Sequence, residues 1–134
     1  MIVVDTSAWV EHLRATGSPV QRTLHRLLEE DAEVAVTEIV VMEILAGARF
    51  ELELRRIRRT ILGFPVLPLT GLESFEAAAG LFQTCRRAGE TIRKLTDCLV
   101  AVPAIEADAT LLGVDRDFEV LARHTPLRLE PLAA

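Results

Sequence analysis

Short apolar runs alternate along this chain with longer stretches whose apolar residues recur every three or four positions, the signatures of buried strands and amphipathic helices. Residues 2–4 form an apolar run that reads as a strand, and Asp5 stands at its carboxyl end. A helix follows through Leu13, with Thr6 or Ser7 able to cap it, before Thr16-Gly17-Ser18-Pro19 interrupts the pattern. Ser18 as cap and Pro19 at the first helical position open the next helix, whose Val20, Leu24, Leu27 and Leu28 keep helical spacing. Residues 34–36 read as a second strand. Thr37 then caps a helix carrying Ile39, Val40, Met42, Glu43, Ile44 and Leu45, which closes near Gly47.

Residues 51–62 form a charged amphipathic helix that Gly63 and Pro65 stop. Residues 66–69 predict a short edge strand, because Pro68 cannot donate to a ladder. A long helix over residues 72–88 is closed by Gly89, and Thr96 is expected to cap another that begins at Asp97. Pro103 lies inside that helix; an interior proline costs about 3 kcal/mol, so the helix is expected to kink or end early. Residues 109–112 and 127–129 are the remaining strand candidates. Strands alternating with helices, without hairpin signals, predict an α/β fold with a mainly parallel sheet flanked by helices. One domain spanning residues 1–134 is expected, with no repeat, low-complexity tract or linker.

Half of the residues are hydrophobic, enough to bury a substantial core. The longest apolar run, residues 98–105, is too short to span a membrane. The opening Met1-Ile2-Val3-Val4-Asp5 has no basic segment of the kind that precedes a secretory apolar stretch, so a cytoplasmic protein is expected. Cys85 and Cys98 form no CxxC pair and have no nearby histidine, which favours ordinary reduced cysteines. His12, His25 and His124 follow no ligand spacing.

The acids carry the chemical signal. Asp5 falls just past the first strand, Asp115 just past a later one, and Asp97 at a helix start; sites in open parallel sheets form at that carboxyl rim. Glu43 is a charge embedded in an apolar stretch. Each of Asp5 and Asp97 could serve merely as a helix cap or first-turn acid, and Asp115 and Asp117 as loop acids. Together they suggest a site: converging carboxylates repel one another unless a cation compensates. An all-oxygen set suits Mg²⁺ or Mn²⁺, which serve phosphodiester hydrolysis.

The combination resembles the PIN-domain family and, within it, the VapC-type toxins. The resemblance rests on Ile2-Val3-Val4-Asp5-Thr6-Ser7, Glu43-Ile44-Leu45-Ala46-Gly47, Asp97-Cys98-Leu99-Val100-Ala101 and Asp115-Arg116-Asp117-Phe118, in the family's order across the whole chain. It implies a PIN-like three-layer fold and an Mg²⁺- or Mn²⁺-dependent endoribonuclease that uses activated water, leaving a 3′-hydroxyl and a 5′-phosphate. The same resemblance implies metal held by Asp5, Asp97 and Asp115, with Glu43 completing an acidic quartet. Asp117 matches a further acid that acts through water or structure, and Thr6 and Ser7 match the hydroxyls that follow the first acid. Gly113 departs from the pattern, which usually has Thr or Ser there.

The resemblance also implies a VapB-like antitoxin whose C-terminal segment crosses the acidic groove with a basic side chain among the carboxylates, and a homodimer. The net charge of −5 argues against an RNA substrate. Setting aside the five site acids, however, leaves fifteen Asp and Glu against fifteen Lys and Arg. Arg55, Arg56, Arg58 and Arg59 form one basic cluster; Arg86, Arg87, Arg93 and Lys94 form another leading into Asp97. Arg93 and Lys94 are the candidate RNA contacts. The competing reading is a PIN-like module that binds RNA or protein without cleaving it.

Overall fold

In the computed structural model, which describes residues 1–133, five parallel strands form one sheet in the order β3-β2-β1-β4-β5. The strands are β1 (Ile2–Val4), β2 (Val34–Thr37), β3 (Val66–Leu67), β4 (Thr110–Leu112) and β5 (Arg128–Leu129). Between them run α1 (Thr6–Leu13), α2 (Pro19–Glu29), α3 (Glu38–Ala46), α4 (Glu51–Ile61), α5 (Leu72–Arg87), α6 (Leu95–Glu106) and α7 (Arg116–His124). The expected α/β fold with a parallel sheet flanked by helices is therefore present. Val3, Val4, Val36, Leu111 and Leu112 are fully buried, as a parallel sheet with covered faces requires. Trp9, Leu24, Val40, Phe118 and Leu121 pack around them from the helices.

The strand order positions the site. From β1 the chain builds outward through β2 and β3, then returns to lay β4 and β5 on the other side. The reversal falls between β1 and β4, whose register pairs Val4 with Leu112. Connections on either side of such a reversal diverge, and the crevice at the strands' carboxyl ends becomes the natural binding place. Asp5 leaves β1 there, its N–H bonded to the Leu112 carbonyl at 2.9 Å, and Asp115 follows β4 across the crevice.

Ser18 and Thr37 cap α2 and α3 as expected, accepting from the N–H groups of Gln21 and Val40. Five local expectations need correction. Asp5, rather than Thr6 or Ser7, caps α1 by accepting from the Ser7 N–H. α6 begins at Leu95 instead of Asp97, and Thr96 does not cap it: the turn is set by Asp117, which accepts the N–H groups of Arg93 and Lys94 at 2.8 Å each. Pro103 does not end α6, which runs on to Glu106 because residues Asp97 to Ala104 are all buried and held by packing. The edge strand stops at Leu67; after Pro68, the Leu69 N–H donates to the Glu38 carboxylate at 2.7 Å instead of to a ladder. The last strand is likewise shorter, since the Leu127 N–H turns to the Thr125 hydroxyl.

Candidate active site

Asp97, Asp115 and Asp117 each offer a carboxylate oxygen, and these oxygens lie within 4.8 Å of one another. α6 supplies the first from its opening turn, and α7 supplies the other two from its cap and first turn. Asp5 is not one of that trio, but it is 4% exposed and near enough for its charge to act on Asp97. Glu43 stands further out on α3, half-buried, where its Oε1 accepts the Thr6 hydroxyl at 2.8 Å. Of the expected quartet, Asp97 and Asp115 thus share one cluster with Asp117, while Asp5 acts on Asp97 and Glu43 on Asp5 through their charges.

The hydroxyls that follow Asp5 act as ties. Ser7 donates its hydroxyl to Asp5 Oδ2 at 2.7 Å and accepts the Val114 N–H at 3.1 Å, so one side chain joins the end of β1 to the loop after β4. Gly113 makes room for this junction. A Cβ there would lie 3.1 Å from the Asp5 Cβ and 3.2 Å from the Phe118 ring. The missing hydroxyl at this position is therefore matched by close packing, with Ser7 bridging from the first turn of α1.

The electrostatics differ from one acid to the next. Burial raises the pKa of Asp5, opposed by the hydrogen bonds from Ser7. Asp97 is pushed up to about 8 by burial, by its carboxyl contact with Asp117 and by the charges of Asp115 and Asp5, against a smaller opposing effect of Lys94. Burial also pushes Asp115 upward, but the Lys94 ammonium at 2.8 Å and the Asp117 N–H outweigh it and leave the pKa lowered. Asp97 Oδ2 is buried with no hydrogen-bond partner. An orphaned carboxylate oxygen among further carboxylates is costly without compensation and fits a hard divalent cation, which prefers oxygen donors.

Asp117 is fully buried, and each of its oxygens accepts a backbone N–H. That arrangement brackets the segment entering α6, the structural role considered for this residue. Arg93 and Lys94 sit beside the acids, with Lys94 paired to Asp115. Among the first basic cluster, Arg56 lines a cleft of about 500 Å³ that reaches Glu43 and is shared with Arg14 and Arg49. The latter two were not singled out by the sequence, where each is an isolated cation with no periodic pattern to mark it. The cysteines are free and buried, and no helix among the described residues is long and apolar enough to cross a membrane.

The PIN-domain family profile matches residues 2–124. "Ribonuclease VapC11" of Mycobacterium tuberculosis is 46% identical over 129 residues, covering 96% of each chain, and "VapC ribonuclease Mb1587" of Mycobacterium bovis matches at the same identity and coverage. In structure, VapBC2 from Rickettsia felis, solved bound to a promoter DNA fragment, superposes with a TM-score of 0.75 at 20% identity, covering 99% of this chain and 100% of that one. FitAcB from Neisseria gonorrhoeae gives 0.74 at 22% identity, covering 98% and 97%; at such identities these two speak for the fold. This chain belongs to the PIN-domain family, in its VapC branch.

Proposed function

We propose that this chain is a divalent-cation-dependent endoribonuclease and the toxin of a type II toxin–antitoxin pair, its one domain spanning residues 1–134. The observation that carries the reading is the buried, unpartnered Asp97 Oδ2 beside Asp115 and Asp117, at the crevice where the strand order reverses. Its relatives named as VapC ribonucleases support the same chemistry. Asp5, Asp97 and Asp115 would hold Mg²⁺, with Mn²⁺ able to replace it, and Glu43 completes the acidic set. Such a cation, when bound, acidifies water and offsets charge on a phosphodiester under attack. The protein's own part is to hold that set rigidly. Ser7 orients Asp5, Thr6 orients Glu43, and Asp117 fixes the entry to α6 and so Asp97. Arg93 and Lys94 face the RNA phosphates at the same rim.

A VapB-like antitoxin is the proposed partner, in the cytoplasm, with a basic side chain directed among the carboxylates. The structural relatives solved as toxin–antitoxin complexes support this. The cleft lined by Val10, Leu13, Arg14 and Ile57 leads toward Glu43 and would receive the partner's approach. A homodimer belongs to the same reading, with the exposed Leu72 and Phe75 of α5 supplying apolar surface.

Purified protein, free of antitoxin, is expected to cut a mixed RNA pool with Mg²⁺ or Mn²⁺ and to stop in EDTA. Asp5→Asn and Asp97→Asn should each lower the rate by more than about 100-fold, since even outer-shell changes around a metal cost roughly 10–100-fold. Folded protein that binds metal yet leaves the RNA intact would replace this reading with that of a non-cleaving binding module.

A further inference from the structure

The two oxygens of Asp115 are both occupied. Oδ1 accepts the Asp117 N–H at 3.0 Å, which completes the cap of α7, while Oδ2 meets the Lys94 ammonium at 2.8 Å. Oδ2 is therefore the oxygen that a cation would use, and a cation already holds it. Lys94 also feels the charges of Asp97 and Asp5, so its ammonium is set among the proposed metal ligands rather than beside a lone surface acid.

The two ends of this lysine differ in freedom. Its backbone N–H is fixed to Asp117 Oδ2 at 2.8 Å, yet its side chain is 60% exposed. The root is pinned while the four-carbon stem can swing, and an ammonium is a compact point charge that needs no single partner geometry. Two cations cannot share Asp115 Oδ2 at contact distance without strong repulsion.

We propose that Lys94 is an exchangeable counter-ion: it neutralises Asp115 until a divalent cation displaces it, and the released, still tethered ammonium then takes a phosphate oxygen of the RNA. This rests on the proposed metal-dependent function and adds a step to it. Metal binding and substrate binding are thereby coupled, since the cation frees the side chain that helps to receive the phosphate.

The test is Mn²⁺ titration of RNA-free protein, with free Mn²⁺ read by electron paramagnetic resonance, for wild type, Lys94→Met, Lys94→Arg and Arg93→Met. Lys94→Met should bind Mn²⁺ roughly two- to fivefold more tightly, the range expected for releasing a partly exposed ion pair. Lys94→Arg should stay close to wild type, and Arg93→Met should change affinity less than Lys94→Met because its charge acts on Asp115 only from a distance. At saturating Mn²⁺ the KM for RNA should rise in Lys94→Met, with kcat less affected. Unchanged or weaker Mn²⁺ affinity in Lys94→Met, beside normal binding by wild type, overturns the exchange alone. Equal tightening in Lys94→Met and Lys94→Arg also overturns it, by removing charge as the cause. No Mn²⁺ binding by wild type overturns the metal-dependent function, and the exchange with it.

Discussion

Asp97 gives the metal-free protein a pH dependence opposite to that of an ordinary paired acid. Burial and its carboxylate neighbours hold it at about 8 in the folded state, against 3.8 for an ordinary aspartate. Between those values the folded chain keeps a proton that the unfolded chain has lost, so this group's contribution to stability declines as pH rises toward 8. Asp115 and Glu90 act in the other direction. Burial raises Asp115 but its Lys94 pairing outweighs that, and Glu90 is held at about 2 by hydrogen bonds from Arg123 and His124. Their contributions are present at neutral pH and lost in acid. In EDTA, the melting temperature of wild type is expected to rise as pH falls from 8 toward 5 and then to drop in stronger acid. Asp97→Asn should shrink the rise to the share that the raised pKa of buried Asp5 supplies and keep the acid limb, and identical calorimetric profiles would exclude Asp97 as a source. Gly113 makes a separate prediction. A new Cβ would press on the Asp5 Cβ and on the fully buried Phe118 ring, neither of which is free to withdraw. Gly113→Ala should therefore cost about 1–3 kcal/mol, the usual range for overpacking, read as a lower urea midpoint at constant slope.

At the scale of elements, α6 and α7 are joined by one carboxylate. Asp117 projects from the first turn of α7 and accepts the two N–H groups that precede α6. Asn is neutral and offers a single acceptor oxygen, so Asp117→Asn takes the charged partner from both donors and leaves one of them without an acceptor. The expected cost is about 2 kcal/mol, typical of a hydrogen bond to a charged group. Amide exchange should accelerate at Arg93 and Lys94 ahead of the rest of α6, and uniform acceleration would assign the loss to global stability instead. This bracket also shows where sequence reading stops. Asp5 and Asp115 are legible because each directly follows an apolar run, and those runs become adjacent strands at the topological reversal. Ser18 and Thr37 are legible because capping is local. The start of α6 is not, since Thr96 looks like a good cap while the deciding partner lies on α7, 24 positions beyond Arg93. β3 and β5 have two residues each, and their bounds depend on pairing with β2 and β4 rather than on any pattern of their own. Pro103 misleads for a related reason: helix propensity is a local penalty, and burial on α6 overrides it.

For the whole molecule, charge distribution separates a nuclease from a passive RNA-binding module. The chain carries a net charge of −5, so the acidic crevice repels a phosphate backbone unless a cation is bound there. Arg55, Arg58 and Arg59 on α4 are exposed and would be equally available with or without metal. A module that binds RNA through such a helix would keep its affinity in EDTA. A nuclease that receives the phosphate at the carboxylate rim would not. Stopped-flow association of labelled RNA, observed before turnover, is expected to weaken at least roughly tenfold when Mn²⁺ is replaced by EDTA. The salt dependence with Mn²⁺ should be shallow: two or three phosphate contacts predict a log–log slope of about −2 for a single strand. A steep slope that persists in EDTA would move the RNA site to α4 and away from the acids. A shallow slope that appears only with the cation would instead place the scissile phosphate between the metal ligands and Lys94, whose ammonium lies 2.8 Å from Asp115 before a cation displaces it.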